Sequence, residues 1–179
     1  MSIRRLPVAA IALITVALLA TVVYANLSKG TKAPNFTLPT ITGKSFTLSD
    51  CFKSPPKVVV LDLWATWCGP CRSEIPYLVE LHNKYNSKGA MVVGVSLDKD
   101  KAKVVAFAKD YGIKYTVPLD PKAAKLSTSY KIRGIPATYI IDKKGIIRYV
   151  HSGFPKDKAQ QQKEAAEMES EVKNLLAEK

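Results

Sequence analysis

The stretch VVVLDLWATWCGPCRSEIP, residues 58–76, joins an apolar run to a pair of closely spaced cysteines. The run begins at Val58, follows Pro55-Pro56 and is rich in β-branched residues, which predicts a strand buried on both faces. Pro70 fits the first turn of a helix, where its missing N–H costs nothing. Cys68 is therefore predicted at the start of that helix, with Cys71 one turn deeper on the same side.

A Cys-x-x-Cys pair at a strand-to-helix turn is typical of a thiol redox site. The thiolate is the nucleophile in disulfide exchange, and the free N–H groups at a helix start favour the thiolate form of Cys68. We therefore predict that Cys68 attacks a disulfide and that Cys71 resolves the mixed disulfide. The alternatives are a structural disulfide or half of a zinc site. Zinc needs four ligands, and Cys51, His82 and His151 offer no second paired spacing.

Asp62 interrupts the apolar strand six residues before Cys68. A carboxylate in a buried strand is costly unless it is paired or protonated. We predict a buried acid with a raised pKa that takes the proton of Cys71 when that thiol resolves the mixed disulfide. The alternative is a strand position that faces solvent.

Periodic patterns and turn residues predict the other elements. In order, these are a hairpin over 36–48, a redox helix ending at 86–89, a strand over 90–97, a helix from 98–100 to Gly112, an extended piece over 115–119, a helix from Pro121 to Tyr130, a strand over 137–141, its hairpin partner over 146–151 and a helix over 157–177. Strands that alternate with helices and end in a hairpin and a helix indicate an α/β sandwich with a mixed sheet.

The first 25 residues contain an uncharged apolar run from Leu6 to Ala25, preceded by Arg4 and Arg5. Its length is about that needed to cross a bilayer, roughly 20 residues, and the two arginines place the short N-terminus in the cytoplasm. We predict a transmembrane anchor over 1–25, a polar tether over 26–32 and a domain on the far side of the membrane over 33–179. A cleaved signal peptide is the alternative, and it exports the domain equally.

The segments WATWCGPCRSEIP, APNFTL, GKSFTLSD and GIPAT together carry a family resemblance over residues 31–154. The chain resembles the membrane-anchored TlpA/ResA-like thiol-disulfide oxidoreductases of the thioredoxin superfamily. The resemblance implies a thioredoxin fold, with Lys101–Leu119 as the helix-plus-strand insertion of this group. It also implies a bacterial cytoplasmic membrane protein whose catalytic domain faces the periplasm or the outside.

The same resemblance assigns roles around the cysteines. Pro136 is implied to be a cis-proline that faces them, and Gly134 and Ile135 beside it are implied to border the substrate, with the Ile135 backbone free to pair with an extended substrate strand. Trp67 is implied to be an exposed lip, with a core position as the alternative. Arg133 is expected to border the same groove.

Two acids also match positions in the family. Asp62 matches the buried aspartate of thioredoxins, and Glu74 matches a glutamate that tunes the cysteines in TlpA/ResA-like proteins. An ordinary surface glutamate is the alternative for Glu74. Pro76 is interpreted as a structural helix kink, and Cys51 as an inert thiol rather than a third redox centre.

These features predict a reductase of disulfides in exported proteins, which uses a CxxC dithiol and needs no cofactor or metal. The resemblance suggests apocytochrome c haem-site cysteines or copper-site thiols as substrates, with electrons from a transmembrane thiol relay. The net charge of +12 is spread along the chain and fits an anionic membrane surface or acidic partners better than nucleic acid, which an exported chain would not meet.

Three other functions stay open at this point. An oxidase or isomerase that uses the same cysteines is the main alternative. A copper carrier would be expected to have CxxxC with a dedicated histidine. A peroxidase would need Thr or Ser three residues before its reactive cysteine, where Ala65 and Leu48 stand. His82 and His151 are interpreted as surface residues or as residues with satisfied hydrogen bonds.

Overall fold

The computed structural model describes Leu27 and residues 29–178. The strands and α-helices of this part follow in chain order: β1 Thr37–Pro39, β2 Ser45–Thr47, β3 Val58–Trp64, α1 Gly69–Tyr85, β4 Ala90–Ser96, α2 Lys101–Asp110, α3 Leu126–Ser129, β5 Ala137–Ile141, β6 Ile147–Ser152 and α4 Lys158–Ala177. Short 3-10 turns lie at Leu48–Phe52, Asn86–Lys88 and Pro121–Ala123.

The main sheet has four strands in the order β4-β3-β5-β6. Strand β3 runs parallel to β4 and antiparallel to β5, and β6 is antiparallel to β5. The predicted mixed sheet is therefore confirmed. Strands β1 and β2 form a separate antiparallel hairpin, as the alternating segments predicted.

Every residue of β3 is buried, as expected for a strand covered on both faces. Because side chains alternate along a strand, Val58, Val60 and Trp64 share one face and pack with residues of α1 and α4. The odd-numbered side chains of the strand, Val59, Leu61 and Leu63, face the hairpin and α3. Asp62 belongs to the even-numbered set, so it points to the same side as α1.

Carboxylate side chains cap two of the helices. Asp100 accepts hydrogen bonds from the backbone N–H groups of Ala102 and Lys103 at the start of α2, and Asp157 accepts one from Gln160 at the start of α4. Helix α1 and its 3-10 extension end at Gly89, whose φ of 96° lies in the left-handed region that glycine adopts without strain. The predicted ends of these helices are confirmed.

The predicted continuous helix from Pro121 to Tyr130 is wrong. Lys122 and Ala123 have positive φ, which breaks the helix after a single 3-10 turn. The buried carboxylate of Asp120 then accepts hydrogen bonds from the backbone N–H groups of Lys125 and Leu126. A local side-chain contact from Asp120 therefore precedes a second, four-residue helix, which sequence periodicity does not reveal.

The segment after β4 has the predicted helix α2, followed by an extended piece. Thr116 and Leu119 form isolated parallel bridges to Val93 and Ser96 of β4, so the piece lies beside the sheet without forming a full strand. On α2, Val104 is buried, whereas Val105 is 44% exposed.

The end of the predicted tether lies against the main domain. The Gly30 N–H donates to the carbonyl of Ile147, and the Ile147 N–H donates to that of Thr31. The predicted anchor over 1–25 lies outside the described residues. Among the residues that are described, no helix is both long enough and apolar enough to cross a bilayer.

Candidate active site

The two cysteines lie where β3 gives way to α1 and are joined as a disulfide, with their Cα atoms 5.3 Å apart. Cys68 is the N-cap of the helix, and its sulfur accepts a hydrogen bond of 3.2 Å from the backbone N–H of Cys71. Pro70 occupies the first turn, as predicted. The helix start thus directs a backbone N–H group at the Cys68 sulfur, which stabilises negative charge there when the pair is reduced.

The two sulfurs differ in accessibility. Cys68 is 5% exposed, whereas Cys71 is fully buried beneath it. An incoming disulfide therefore reaches Cys68 first, and Cys71 is placed to attack only after a mixed disulfide has formed. This arrangement matches the predicted order of attack.

The segment that ends in Pro136 faces the disulfide. The Ile135–Pro136 peptide bond is cis, as the resemblance implied, and the Cys68 sulfur lies 3.6 Å from the carbonyl oxygen of Ile135. Gly134, Ile135 and Pro136 line an open cavity of about 380 Å³, and Arg133 lies on its border. A groove beside the accessible sulfur gives an extended chain room to approach it.

Trp67 is 70% exposed and directly precedes Cys68, so the core alternative for this residue is wrong. The loop that contains Trp67 is held in place by hydrogen bonds to Asp98. Thr66 donates from its backbone N–H and its hydroxyl to the buried carboxylate of Asp98, at 2.9 and 2.6 Å. The hydroxyl of Ser96 donates to the same carboxylate at 2.9 Å.

This anchoring by Asp98 was missed from the sequence, where the residue was interpreted only as part of a helix start. A signal did exist. In parallel neighbours such as β3 and β4 the carboxyl ends meet at one edge of the sheet, so polar residues that follow the two strands lie close together.

Two carboxylic acids are buried on the α1 side of the sheet, Asp62 on β3 and Glu74 three residues after Cys71 on α1. Asp62 is 0% and Glu74 is 1% exposed, so the solvent-facing alternatives for both are wrong. The Thr138 hydroxyl donates to Oε1 of Glu74 at 2.8 Å and lies 3.5 Å from Oδ1 of Asp62. Within the described part of the chain, Oδ2 of Asp62 and Oε2 of Glu74 have no hydrogen-bond partner.

Burial favours the protonated form of both acids. It raises the pKa of Asp62 well above its ordinary value, and the negative charge of Glu74 raises it further. Burial also raises the pKa of Glu74, to about 7, against the opposing effects of the Thr138 hydrogen bond and the positive charge of His151. The two acids titrate as a pair, so the pair retains at least one proton near neutral pH and can exchange it with a neighbouring thiol.

Cys51 is a free thiol on the opposite side of the sheet from α1. Burial is the main reason that its pKa is raised to about 11, and its sulfur contacts that of Met91 at 3.8 Å. Such a thiol is a poor nucleophile at neutral pH, in keeping with the predicted inert role.

The interpretation made from the sequence is confirmed for His151, whose hydrogen bonds are satisfied, but it does not hold for His82. Nδ1 of the half-buried His82 has no hydrogen-bond partner among the described residues. His151 is half-buried between two glutamates, to which both of its ring nitrogens are hydrogen-bonded. In the described residues no set of three His, Cys, Asp or Glu side chains is arranged to hold a metal ion.

A mixed sheet with a CxxC disulfide at a helix start, opposite a cis-proline, defines a thioredoxin-fold thiol-disulfide oxidoreductase. The chain belongs to the AhpC/TSA family, whose model matches residues 29–150. The predicted resemblance to ResA-like thiol-disulfide oxidoreductases is confirmed by relatives that carry the name ResA.

Two relatives come from Bacillus subtilis strain 168. The thioredoxin-like protein YneN is 36% identical over 140 residues, which cover 77% of this chain and 79% of YneN. The thiol-disulfide oxidoreductase ResA is 35% identical over 128 residues, which cover 72% of this chain and 69% of ResA. ResA proteins from Bacillus cereus and Bacillus thuringiensis are matched over 65% of their length.

A solved structure from Chlorobium tepidum has the same fold. That protein, provisionally named thiol:disulfide interchange protein DsbE, is 34% identical and superimposes with a TM-score of 0.74. The match covers 85% of this chain and 100% of the other.

Proposed function

We propose that this chain is a reductase of disulfides in exported proteins, tethered to the outer side of the bacterial cytoplasmic membrane. The observation that carries the proposal is the pairing of a slightly exposed Cys68 with a fully buried Cys71 and a buried pair of acids, Asp62 and Glu74. Relatives named thiol-disulfide oxidoreductase support the class of reaction. Gly69 and Pro70 are the residues that separate the cysteines in thioredoxin, which is strongly reducing at about −270 mV.

The proposed reaction begins with the reduced pair. The Cys68 thiolate attacks one sulfur of a substrate disulfide, forms a mixed disulfide and expels the first substrate thiolate. Cys71 then loses its proton to the pair Asp62 and Glu74 and attacks the Cys68 sulfur. The Cys68–Cys71 bond forms, the mixed disulfide breaks, and the substrate leaves with two electrons as a dithiol once solvent protonates its thiolates.

We further propose that the disulfide is the redox group of the chain and that a transmembrane thiol relay reduces it again. The apolar run from Leu6 to Ala25 supports an anchor, because a tethered domain stays near such a relay. The proposed substrates are apocytochrome c haem-site cysteines or the copper-site thiols of respiratory oxidases.

The redox potential of the Cys68–Cys71 pair, measured by equilibration with glutathione or thioredoxin, tests the direction of the reaction. We expect a value below about −250 mV, whereas one near −120 mV would assign the pair to a thiol oxidase. Cys71→Ser is expected to accumulate mixed disulfides on Cys68 in cells, and the trapped partners identify the substrates. Cys51→Ser is the matched control and should trap none.

A further inference from the structure

Three polar residues form a row across the sheet beneath the redox helix. Thr138 of β5 is paired in register with Asp62 of β3 on one side and with His151 of β6 on the other. Residues directly opposite one another in neighbouring strands point to the same face and have Cβ atoms about 5 Å apart. The row therefore runs from the acid near Cys71 towards the outer strand of the sheet.

Helix α4 closes the outer end of this row with two carboxylates. Nδ1 of His151 lies 2.6 Å from Oε1 of Glu164, and Nε2 lies 2.8 Å from Oε2 of Glu171. A neutral imidazole has a single N–H to donate. Two short contacts to carboxylates therefore require an additional proton, carried either by the imidazole or by one of the glutamates.

The outer end of the row opens to solvent. The His151 side chain is 10% exposed and that of Glu164 is 28% exposed. Both line a surface cavity of about 430 Å³, and the charged residues around it are Lys29, Arg148, Glu164, Glu167 and Glu171. A proton that reaches His151 is therefore next to water.

The inner end of the row is the buried acid pair. Thr138 lies between the two ends, because it donates to Glu74 and its Cα atom is the register partner of that of His151. Burial has the largest effect on the pKa of Glu74 and raises it. The positive charge of His151 lowers this pKa, and the negative charge of Glu164 raises it. The two ends are thus electrostatically coupled.

We propose that His151, together with Glu164, is the outer station of a proton path that connects the buried acids beneath Cys71 to solvent. The path rests on the proposed function, because it carries the proton that Cys71 gives up when it resolves the mixed disulfide. His151 does not touch the substrate, and it acts through Asp62 and Glu74.

The balance of the step is simple. The Cys71 S–H bond breaks, its electron pair stays on sulfur to attack Cys68, and the proton goes to the unprotonated member of the acid pair. The acid pair passes a proton to the His151 cluster, which releases one from Glu164 to water in the cavity. No oxidant other than the substrate disulfide is needed.

The electrostatics around His151 suit this role. Burial alone would lower the pKa of His151, but the hydrogen bonds that it donates to Glu171 and Glu164 outweigh burial and raise that pKa. Burial is also the main reason that the pKa of Glu171 is raised. The charged groups that act on His151 are Glu164 and Glu171 from α4, and Glu74 of α1 is coupled to it; these groups form the cluster through which the proton passes.

The experiment uses the full chain, reduced and mixed in stopped flow with excess dithiobis-nitrobenzoate. Attack by Cys68 releases one coloured aryl thiolate, and attack by Cys71 on the mixed disulfide releases the second. In His151→Ala we expect the first release to be unchanged and the second to slow by about tenfold or more near neutral pH. Added imidazole, which fits the vacated space beside the cavity, is expected to restore the second release.

Glu167→Gln is the matched control, because Glu167 lines the same cavity without contacting His151, and both of its releases should equal those of the native chain. A second release that stays fast in His151→Ala would overturn the proton path. A slow one that imidazole does not restore would overturn it too, because His151 would then be structural. Loss of the first release in the native chain would instead count against the proposed function.

Glu164→Gln provides an independent variant if His151→Ala does not fold. It keeps the side-chain shape and leaves His151 in place, but it removes the group that hands the proton to water. We expect several-fold slowing of the second release and a shifted pH profile for that release alone. Native rates at every pH would overturn the assignment of Glu164.

Discussion

The three cysteines show how local surroundings separate identical side chains. Cys68 lies at a helix start and borders the Ile135–Pro136 groove, Cys71 is fully buried one turn further along, and Cys51 is enclosed by apolar side chains of the opposite layer. Thiolate character and access together set thiol reactivity. Only Cys68 combines a helix start, which stabilises a thiolate, with a position beside the groove.

Alkylation of the reduced, folded protein tests this difference. Iodoacetamide near neutral pH is expected to modify Cys68 at least about tenfold faster than Cys51, because burial raises the pKa of the Cys51 thiol to about 11. Peptide mass spectrometry reads the order of labelling. Labelling in urea, where the three thiols become equivalent, is the control. Equal rates in the folded protein would contradict the assigned reactivity.

Among single residues, the sequence predicts those whose role follows from their own position along the chain. Asp62, Cys68 and Cys71 are defined by one strand and one turn, and Pro136 and Trp67 by short motifs. Asp98 and His151 escaped prediction because their partners, Thr66 on one side and Glu164 with Glu171 on the other, become neighbours only after the sheet and helices have assembled.

Among the elements, the extended piece after α2 depends on one close approach to the sheet. A Cβ atom on Gly94 of β4 would lie 2.9 Å from Cε2 of Tyr115 and 3.0 Å from Nε1 of Trp64. Both rings are buried, so neither can move aside freely. Glycine at this position therefore lets the segment 115–119 pack directly onto β4.

Gly94→Ala is accordingly expected to lower the free energy of unfolding by about 1–3 kcal/mol, the usual effect of overpacking a tight core. Chemical denaturation of the oxidised protein measures it. Gly134→Ala is the control, since a Cβ atom there has no neighbour within 4 Å. A Gly94→Ala variant as stable as the native chain would show that the rings at this contact can shift without cost.

Elements with a strong pattern and a clear cap were predictable, and a helix divided by positive φ angles and local side-chain hydrogen bonds was not. The strand over 58–64 and the final helix over 158–177 have a continuous apolar pattern or an aspartate cap. The segment after Pro121 has a helical composition, but the positive φ of Lys122 and the hydrogen bonds to Asp120 divide it. Composition alone does not reveal such contacts.

Over the whole molecule, the two sides of the sheet have different characters. The side packed against the hairpin and α3 contains the aromatic contacts of Phe36, Tyr130 and Tyr139. The side under α1 and α4 buries Asp62 and Glu74 as well as an apolar core. The proposed chemistry thus places ionisable groups in the interior, where they link folding stability to pH.

The two buried acids determine whether folding stability rises or falls with pH. An unfolded carboxyl group has a pKa of about 4, whereas burial raises the pKa of Glu74 to about 7 and that of Asp62 well above its ordinary value. The folded state therefore holds protons that the unfolded state has lost. The stability that these groups contribute is fully present below their pKa in the unfolded state. It is lost as the pH rises through their pKa in the folded state.

We therefore expect the free energy of unfolding of the oxidised native chain to fall between pH about 5 and about 8, and Glu74→Gln to flatten that decline. For Glu74, a tenfold change in proton affinity is worth about 1.4 kcal/mol, so the rise in pKa from 4.5 to about 7 corresponds to at most about 3 kcal/mol. Urea unfolding at the two pH values measures the difference. Glu80→Gln, an exposed position on the same helix, should leave the decline unchanged, and an equally steep decline in Glu74→Gln would mean that Glu74 is ionised in the folded protein throughout this range.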